Sequence, residues 1–233
     1  MKTILKIFPF ALFLIIPFSL FAQYNYDGKE LSPEIQSIIK KLAKDSTVYS
    51  SYIGIVGQES PTQKSLIELS KQDTSVLIKI TNYFNPVIRC FAFRSLIEKG
   101  YKNFFPIIIN HLQDTANVRL HYADVVMYQK AGDFFIDNAI VNYTNAVDYA
   151  MKNKVYMDSL QKCILDSIVI FTDNELEYLD QILYHNSFNE NYYERINKLA
   201  VNNSYANVAL AKYKREGDAK IIYDNFENIV IYN

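Results

Sequence analysis

The chain has 233 residues, 50% of them hydrophobic, and a formal net charge of −1. This balance excludes the strongly basic footprint with which proteins bind nucleic acid or an anionic membrane surface. The length suffices for one domain or for a short array of repeats. Two cysteines are too few for a disulfide framework, so we interpret Cys90 and Cys163 as buried, unpaired thiols, although an oxidising compartment permits a bridge between them.

Residues 1–22 have the layout of a secretory signal peptide. Lys2 and Lys6 precede an uncharged run of 16 residues, and Gln23 follows the expected cleavage site. The run contains two prolines and is shorter than the roughly 20 apolar residues of a spanning helix, which favours cleavage over a membrane anchor. No second long apolar run follows. We therefore predict a bacterial protein that is exported, periplasmic or secreted, with no stable membrane insertion after cleavage and with one domain over residues 23–233.

Helix start signals and periodic apolar residues recur along the chain. Ser32, Pro33 and Glu34 predict the start of a helix that extends to residue 44. We interpret residues 45–58 as irregular or weakly helical, since two glycines interrupt their β-prone residues. Further helices are predicted over residues 63–71, 75–83, 86–98, 103–113, 114–130, 134–143, 155–171, 175–184, 192–201, 205–215 and 219–227.

The clearest signals lie in residues 85–112. Asn85 can cap a helix, Pro86 can occupy its first position, and Gly100 can supply the left-handed residue that ends it. The residues expected to pack inward are Val87, Cys90, Phe91 and Ile97. Helices separated by short turns recur about every 30 to 45 residues without sustained period-two alternation, a spacing typical of stacked helix pairs. The predicted fold class is therefore all-α, an α-solenoid of antiparallel helix pairs.

Residues in the same stretch resemble a HEAT repeat. The clearest repeat covers residues 74–113, and block 51–224 is similar to exported bacterial HEAT-like proteins of unestablished activity. The repeat signature is Asn85, Pro86, Val87, Arg89, Ala92, Leu96 and Gly100. The resemblance implies a HEAT-like, armadillo-like helical domain with a protein-interaction role and without a catalytic residue. It also implies that Arg89 pairs with an acidic residue of an adjacent repeat, either Asp73 or Asp114.

The sequence shows no catalytic, metal or cofactor motif. His111, His121 and His185 are not spaced as metal ligands, and no phosphate loop, dinucleotide fingerprint or Gly-x-Ser-x-Gly occurs. Cys90 lies among apolar residues that raise a thiol pKa, which makes it a poor nucleophile. Four acidic residues near one helix start favour capping over calcium binding. They are Asp173, Glu175, Glu177 and Asp180. We predict that the protein is not an enzyme and holds no cofactor.

Nineteen tyrosines are the feature that points to a function. Tyrosine is enriched at protein interfaces, but aromatic residues indicate an interface only when they are contiguous and exposed. The candidate interface residues are Tyr178, Tyr184, Tyr192 and Tyr193. The sequence thus favours a non-enzymatic scaffold that binds an unknown protein partner and no nucleic acid. Two alternatives stay open: a ligand- or glycan-binding envelope protein, and an enzyme whose site the spacing does not reveal.

Overall fold

The chain folds as a mixed α/β protein, so the predicted all-α solenoid is wrong. A computed structural model describes residues 24–140, 154–185 and 189–231, without the side chains of 227–231, so the predicted signal peptide lies outside the described residues. The strands are β1 (Thr47–Ile53), β2 (Gln58–Glu59), β3 (Asn117–Ala123) and β4 (Val125–Lys130). The helices are α1 (Pro33–Leu42), α2 (Gln63–Ser70), α3 (Thr74–Ile80), α4 (Pro86–Glu98), α5 (Phe105–Asn110), α6 (Ala131–Ala139), α7 (Ser159–Phe171), α8 (Glu177–His185), α9 (Tyr193–Leu199), α10 (Ser204–Ala211) and α11 (Asp218–Ile231), with a 3₁₀ turn at Glu190–Tyr192.

The four strands form one sheet in the order β2–β1–β3–β4. Each outer strand is the antiparallel partner of its neighbour, so the sheet consists of two hairpins. The hairpins join where β1 and β3 run parallel. Both turns therefore project from the same end of the sheet, where the Gly54 N–H donates to the Ala123 carbonyl at 2.7 Å.

The helix predicted over residues 114–130 is the β3–β4 hairpin. Val118 and Tyr122 are four residues apart, a spacing that fits both the helical period and the strand period of two. The burial pattern alternates at the start of β3, where Val118 and Leu120 are buried and Arg119 between them is half-buried. At the turn, Ala123 adopts a φ of 50° that reverses the chain. Residues 45–58, interpreted as irregular, form the other hairpin because their β-branched and aromatic residues suit a sheet.

Helix α4 lies at the centre of the domain. Asn85 accepts a hydrogen bond from the Val87 N–H at 2.9 Å, and Gly100 follows the helix with a φ of 78°, which confirms both predicted ends. Every residue from 87 to 97 is buried, because α1, α2, α3, α6, β1 and β3 all pack against the helix. The prediction of a single inward face was therefore too narrow. The signature residues Ala92 and Leu96 belong to this core.

Other helix starts agree with their local signals to different degrees. Ser32 accepts from the Ile35 N–H at 3.3 Å and Pro33 occupies the first position of α1, as predicted. Helix α5 begins after Phe104 with no side-chain cap. The expected helix pairs do not stack as repeats, since the chain leaves α5 directly for the sheet. Among the described residues, no helix is both long and apolar enough to span a bilayer.

A buried ion pair joins α4 to the segment that leads into β3. Arg89 donates from Nε and Nη2 to the two carboxylate oxygens of Asp114, each at 2.8 Å, and the side chains are only 3% and 2% exposed. Its Nη1 donates to the carbonyls of Tyr83 and Phe84, and the ring of Tyr24 covers the guanidinium at 4.4 Å. Asp114 is one of the two partners expected for Arg89. The pair fixes a helix to a sheet, not one repeat to the next.

The helices α7 to α11 form a second, all-helical part of the domain. Helix α8 contacts α6, α7 and α10, and α10 also packs on α9 and α11. Asp133 of α6 caps α8 across the junction, because its carboxylate accepts from the N–H groups of Glu177 and Tyr178 at 3.1 and 2.9 Å. The preceding residue, Gly132, approaches closely: a Cβ there would stand 2.7 Å from the carbonyl oxygen of His111.

Replacing Arg89 by alanine should lower the free energy of unfolding by about 3–5 kcal/mol, because the buried Asp114 carboxylate loses its counter-charge. Urea denaturation at neutral pH measures the loss. The matched control is Lys79→Ala, since Lys79 pairs with Glu30 at 3.0 Å on the surface and such pairs contribute at most about 1 kcal/mol. Equal stability of the two variants would contradict the structural role given to Arg89.

Candidate functional site

His111 is a buried histidine whose two ring nitrogens are engaged by the backbone. Nδ1 lies 2.7 Å from the Ile107 carbonyl oxygen and Nε2 lies 2.8 Å from that of Thr81. The ring stacks on Phe135 with 4.3 Å between the centroids. Burial lowers the pKa of His111, and the two carbonyl groups oppose this shift. Both ring nitrogens thus face backbone carbonyls in the interior, where a neutral ring donates to one of them, and this enclosure favours a structural role for the side chain.

The other histidines and the cysteines are dispersed. His121 lies beside Tyr49 on the sheet, and His185 ends α8. Both cysteines are free thiols, as interpreted from the sequence, but Cys163 is exposed and not buried. Burial raises the pKa of the Cys90 thiol well above its ordinary value, which disfavours the nucleophilic thiolate. Within the described residues, no three His, Cys, Asp or Glu side chains are grouped closely enough to hold a metal ion.

The acidic residues near the start of α8 do not converge on one point. Asp173 pairs with Arg195 at 2.7 Å and Glu175 lies 3.6 Å from Lys130. Asp180 accepts from a side-chain amide at 2.7 Å. A calcium site needs six to eight oxygen ligands around one centre. The separate pairings of these side chains favour the structural interpretation over the calcium site.

Three of the four candidate interface tyrosines are buried. The hydroxyl groups of Tyr178 and Tyr193 each donate to an aspartate at 2.8 Å, and that of Tyr192 lies 2.6 Å from a serine Oγ. Tyr184, in contrast, is 54% exposed. The structure thus does not bring the four rings together on one surface. Their sequence clustering reflects packing between α7, α8, α9 and α11.

A cleft of about 250 Å³ lies between α7 and α8. Its polar lining residues are Lys162, Asp166, Tyr178, Gln181 and His185. Lys162 lies 2.7 Å from Asp166, and the Tyr178 hydroxyl donates to the same carboxylate. These three groups therefore satisfy one another, an arrangement that stabilises the contact between the two helices.

Asp133 and Asp137 are the carboxyl groups with the largest upward shifts among the described residues. Burial raises the pKa of each to about 6, and in Asp133 the two backbone N–H groups of α8 partly oppose the shift. Asp137 lies one turn further along α6 and accepts from the Gln129 amide. Both side chains are thus engaged at the junction of the sheet with the C-terminal helices. Their perturbed pKa values reflect burial in that junction.

The turn of the β1–β2 hairpin exposes apolar residues. Gly57 donates its N–H to the Gly54 carbonyl at 3.1 Å, which places Ile55 and Val56 at the tip. These two side chains are 93% and 81% exposed, and Tyr52 beside them is 61% exposed. We call Tyr52, Ile55 and Val56 the turn surface. The sequence marks these residues as β-prone but does not indicate a function for them.

Strand β4 exposes a second set of apolar residues at the edge of the sheet. The set consists of Val125, Val126, Met127 and Tyr128, which are 45% to 69% exposed, and we call it the edge surface. Beyond β4 the described part of the chain supplies no further strand. The sequence signal for this surface is the run of four large apolar residues. In a helix these side chains would point in different directions around the axis, whereas in a strand they lie along one edge.

The comparisons with known proteins identify no family for this chain. No protein-family model, curated protein or solved structure matches this chain. Nothing therefore identifies the HEAT family that the sequence resembles, and the observed sheet contradicts the solenoid that this family implies. The function must be argued from the surfaces of the molecule itself.

The Asp133→Asn variant should isolate the titration of Asp133. With a folded pKa of about 6 and an unfolded pKa of about 3.9, the native wild type binds more protons than the unfolded chain between these values. Wild type should therefore gain about 2 kcal/mol relative to the variant as the pH falls from 7 to 4.5. Urea denaturation at the two pH values measures this difference.

Asp137 titrates in both proteins, and its contribution cancels only in part, because the charge of Asp133 helps to raise the pKa of Asp137. A difference between wild type and Asp133→Asn that stays constant, or that falls on acidification, would contradict the raised pKa of Asp133.

Proposed function

We propose that this chain is an exported, non-enzymatic protein that binds another protein through the turn surface. The observation that carries the proposal is the exposure of Ile55 and Val56 at the tip of the β1–β2 hairpin. Contiguous exposed apolar residues on a folded protein mark interaction sites. The pattern of residues 1–22 supports export, and the dispersal of the titratable groups supports a binding role over catalysis.

The conformation of the turn does not require apolar, β-branched residues at positions 55 and 56. The central positions of a β-turn favour proline, aspartate, asparagine or glycine, and β-branched residues are poor choices there. The flanking Gly54 and Gly57 already supply the left-handed conformations, with φ of 72° and 66°. An added Cβ at either glycine would meet no atom within 4 Å, so the tip is open on its sides. Ile55 and Val56, which are 93% and 81% exposed, therefore contribute almost no packing within the described part of the chain.

The chemistry of the tip defines the partner. Residues 52–58 carry no charge, so recognition here depends on apolar contact and shape, not on charge pairing. Burying an aliphatic side chain of this size contributes about 1.5–3 kcal/mol. Two such side chains entering one apolar pocket supply several kcal/mol, enough to act as the central contact of an interface. The partner is accordingly a protein with an apolar pocket that accepts the hairpin tip.

Site-specific photo-crosslinking tests the location of the surface. A benzoylphenylalanine placed at Ile55 should give a discrete covalent adduct with one protein in the native envelope fraction, because this side chain is in contact with the partner. The same group at Lys220, which is exposed on α11, should give none. An adduct at position 220 without one at position 55 would place the partner elsewhere and contradict the proposal.

Once the adduct is identified by mass spectrometry, affinity measurements test the mechanism. The Ile55→Asp, Val56→Asp double variant should bind that protein at least 10-fold more weakly, since a tenfold change corresponds to about 1.4 kcal/mol and two apolar contacts are lost. The matched control is Leu160→Asp, which introduces one charge at a side chain that is 70% exposed on α7. Equal loss in both variants would show that the tip has no special role.

A further inference from the structure

Among the described residues, strand β4 lacks most of the features that usually protect a free sheet edge. Natural proteins block such edges with charged side chains, prolines, bulges or a covering segment. Residues 125–129 carry no charge and no proline, and β4 pairs with β3 in continuous register from Asn117↔Lys130 to Tyr122↔Val125. All residues from Val125 to Tyr128 are exposed, on both faces of the strand. The edge therefore presents a straight row of backbone groups to another strand.

Symmetry restricts how such a strand can pair with its own copy. In antiparallel pairing, two facing residues both point their backbone groups toward the partner strand or both point them away. A twofold axis must therefore pass through a residue and not between two residues. Centring it on Met127 places Val126 opposite Tyr128 and gives the longest overlap of the uncharged stretch. This register follows from strand geometry and the length of β4.

The charges that flank the stretch agree with that register. With Met127 opposite its own copy, Asp124 of each chain, in the turn that precedes β4, lies level with Lys130 of the other chain. The symmetry creates this opposite-charge pair twice. Opposite charges at facing positions favour the pairing of two strands, whereas like charges that face each other destabilise a sheet. In its own chain Lys130 lies 3.6 Å from the Glu175 carboxylate and donates to the Glu175 backbone carbonyl, so Asp124 of the other chain adds a second carboxylate near a lysine that is already paired.

We propose that two copies of this chain pair through β4, antiparallel about an axis at Met127, and form one continuous sheet of eight strands. The pairing provides hydrogen-bond partners for the free backbone groups of β4 in each copy, and it covers the edge surface of each copy. The surface area that a six-residue strand pairing buries is at or below the roughly 800 Å² per partner that a standard stable interface buries. The dimer should therefore dissociate on dilution. The two turn surfaces lie at opposite ends of the joined sheet, so dimerisation leaves both accessible.

A charge-swap experiment tests both the dimer and its register. Wild type should show a concentration-dependent dimer in analytical ultracentrifugation. Met127→Lys and Met127→Glu should each be monomeric, because the axis places two like charges directly opposite each other. An equimolar mixture of the two variants should recover the dimer, since Lys then faces Glu. Circular dichroism should show that both variants fold, as Met127 is 46% exposed.

Each other outcome overturns the inference. A wild type that is monomeric at every concentration removes the dimer. A Met127→Lys variant that still dimerises places the interface elsewhere, and a mixture that does not reassociate rejects the register. Dimerisation through β4 involves the edge surface, whereas the proposed partner binding involves the turn surface. The Ile55→Asp, Val56→Asp variant should dimerise like wild type, so a failure of partner binding and a failure of dimerisation are distinguishable.

Discussion

Complete burial of α4 is the constraint from which the rest of the structure follows. The two arginines of a helix that is enclosed on all sides cannot reach solvent. Their hydrogen-bond acceptors must therefore belong to the surrounding chain. Arg89 donates to Asp114, and Arg94 donates to the Glu98 carboxylate at 2.6 Å and to the Tyr49 carbonyl at 2.9 Å. Because Asp114 precedes β3 and Tyr49 lies in β1, these bonds fix both central strands against the helix. Polar contacts thus define the position of the sheet, while apolar packing supplies most of the stabilisation.

The position of the sheet explains where apolar residues remain uncovered. The helices cover the start of β1 and the middle of β3, where Val48 and Leu120 are buried, but they leave the tip of the β1–β2 hairpin and residues 125–128 of β4 exposed. Ile55 and Met127 lie in these two uncovered regions. The turn surface and the edge surface are therefore consequences of one arrangement, in which a short helical layer supports a sheet that extends beyond it. Both are suited to contact with polypeptide more than to binding a small molecule.

Local signals in the sequence predicted many helix ends because capping depends on neighbouring residues. Asn85 before Pro86 and Ser32 before Pro33 each specify a start by backbone chemistry alone. The sheet was not predictable in the same way. Spacings of four residues, such as Val118 to Tyr122, satisfy both periodicities, and the choice between them depends on whether a distant strand is available for pairing. In this chain β3 pairs with β1, about 70 residues earlier, which local pattern analysis does not detect.

The candidate site residues, like the strands, depend on contacts between parts of the chain that are distant in sequence. The partner of Arg89 was narrowed to two aspartates from the sequence, but the tyrosines near residue 184 were grouped only by their proximity along the chain. Three of them point into separate helix contacts, since residues close in sequence on successive helices face different neighbours. The exposed residues of the turn and of β4 acquire significance only once the sheet is known, because the same residues in helices would be partly buried.

The sheet, and the edge surface with it, exists only if residues 117–130 form paired strands. Nuclear Overhauser contacts in the isotope-labelled protein test this assignment directly. The structure predicts cross-strand backbone contacts between facing residues, Arg119 with Tyr128 and His121 with Val126. A continuous series of contacts between each α proton and the amide proton three residues later would instead show a helix, and would contradict the sheet and the two surfaces inferred from it.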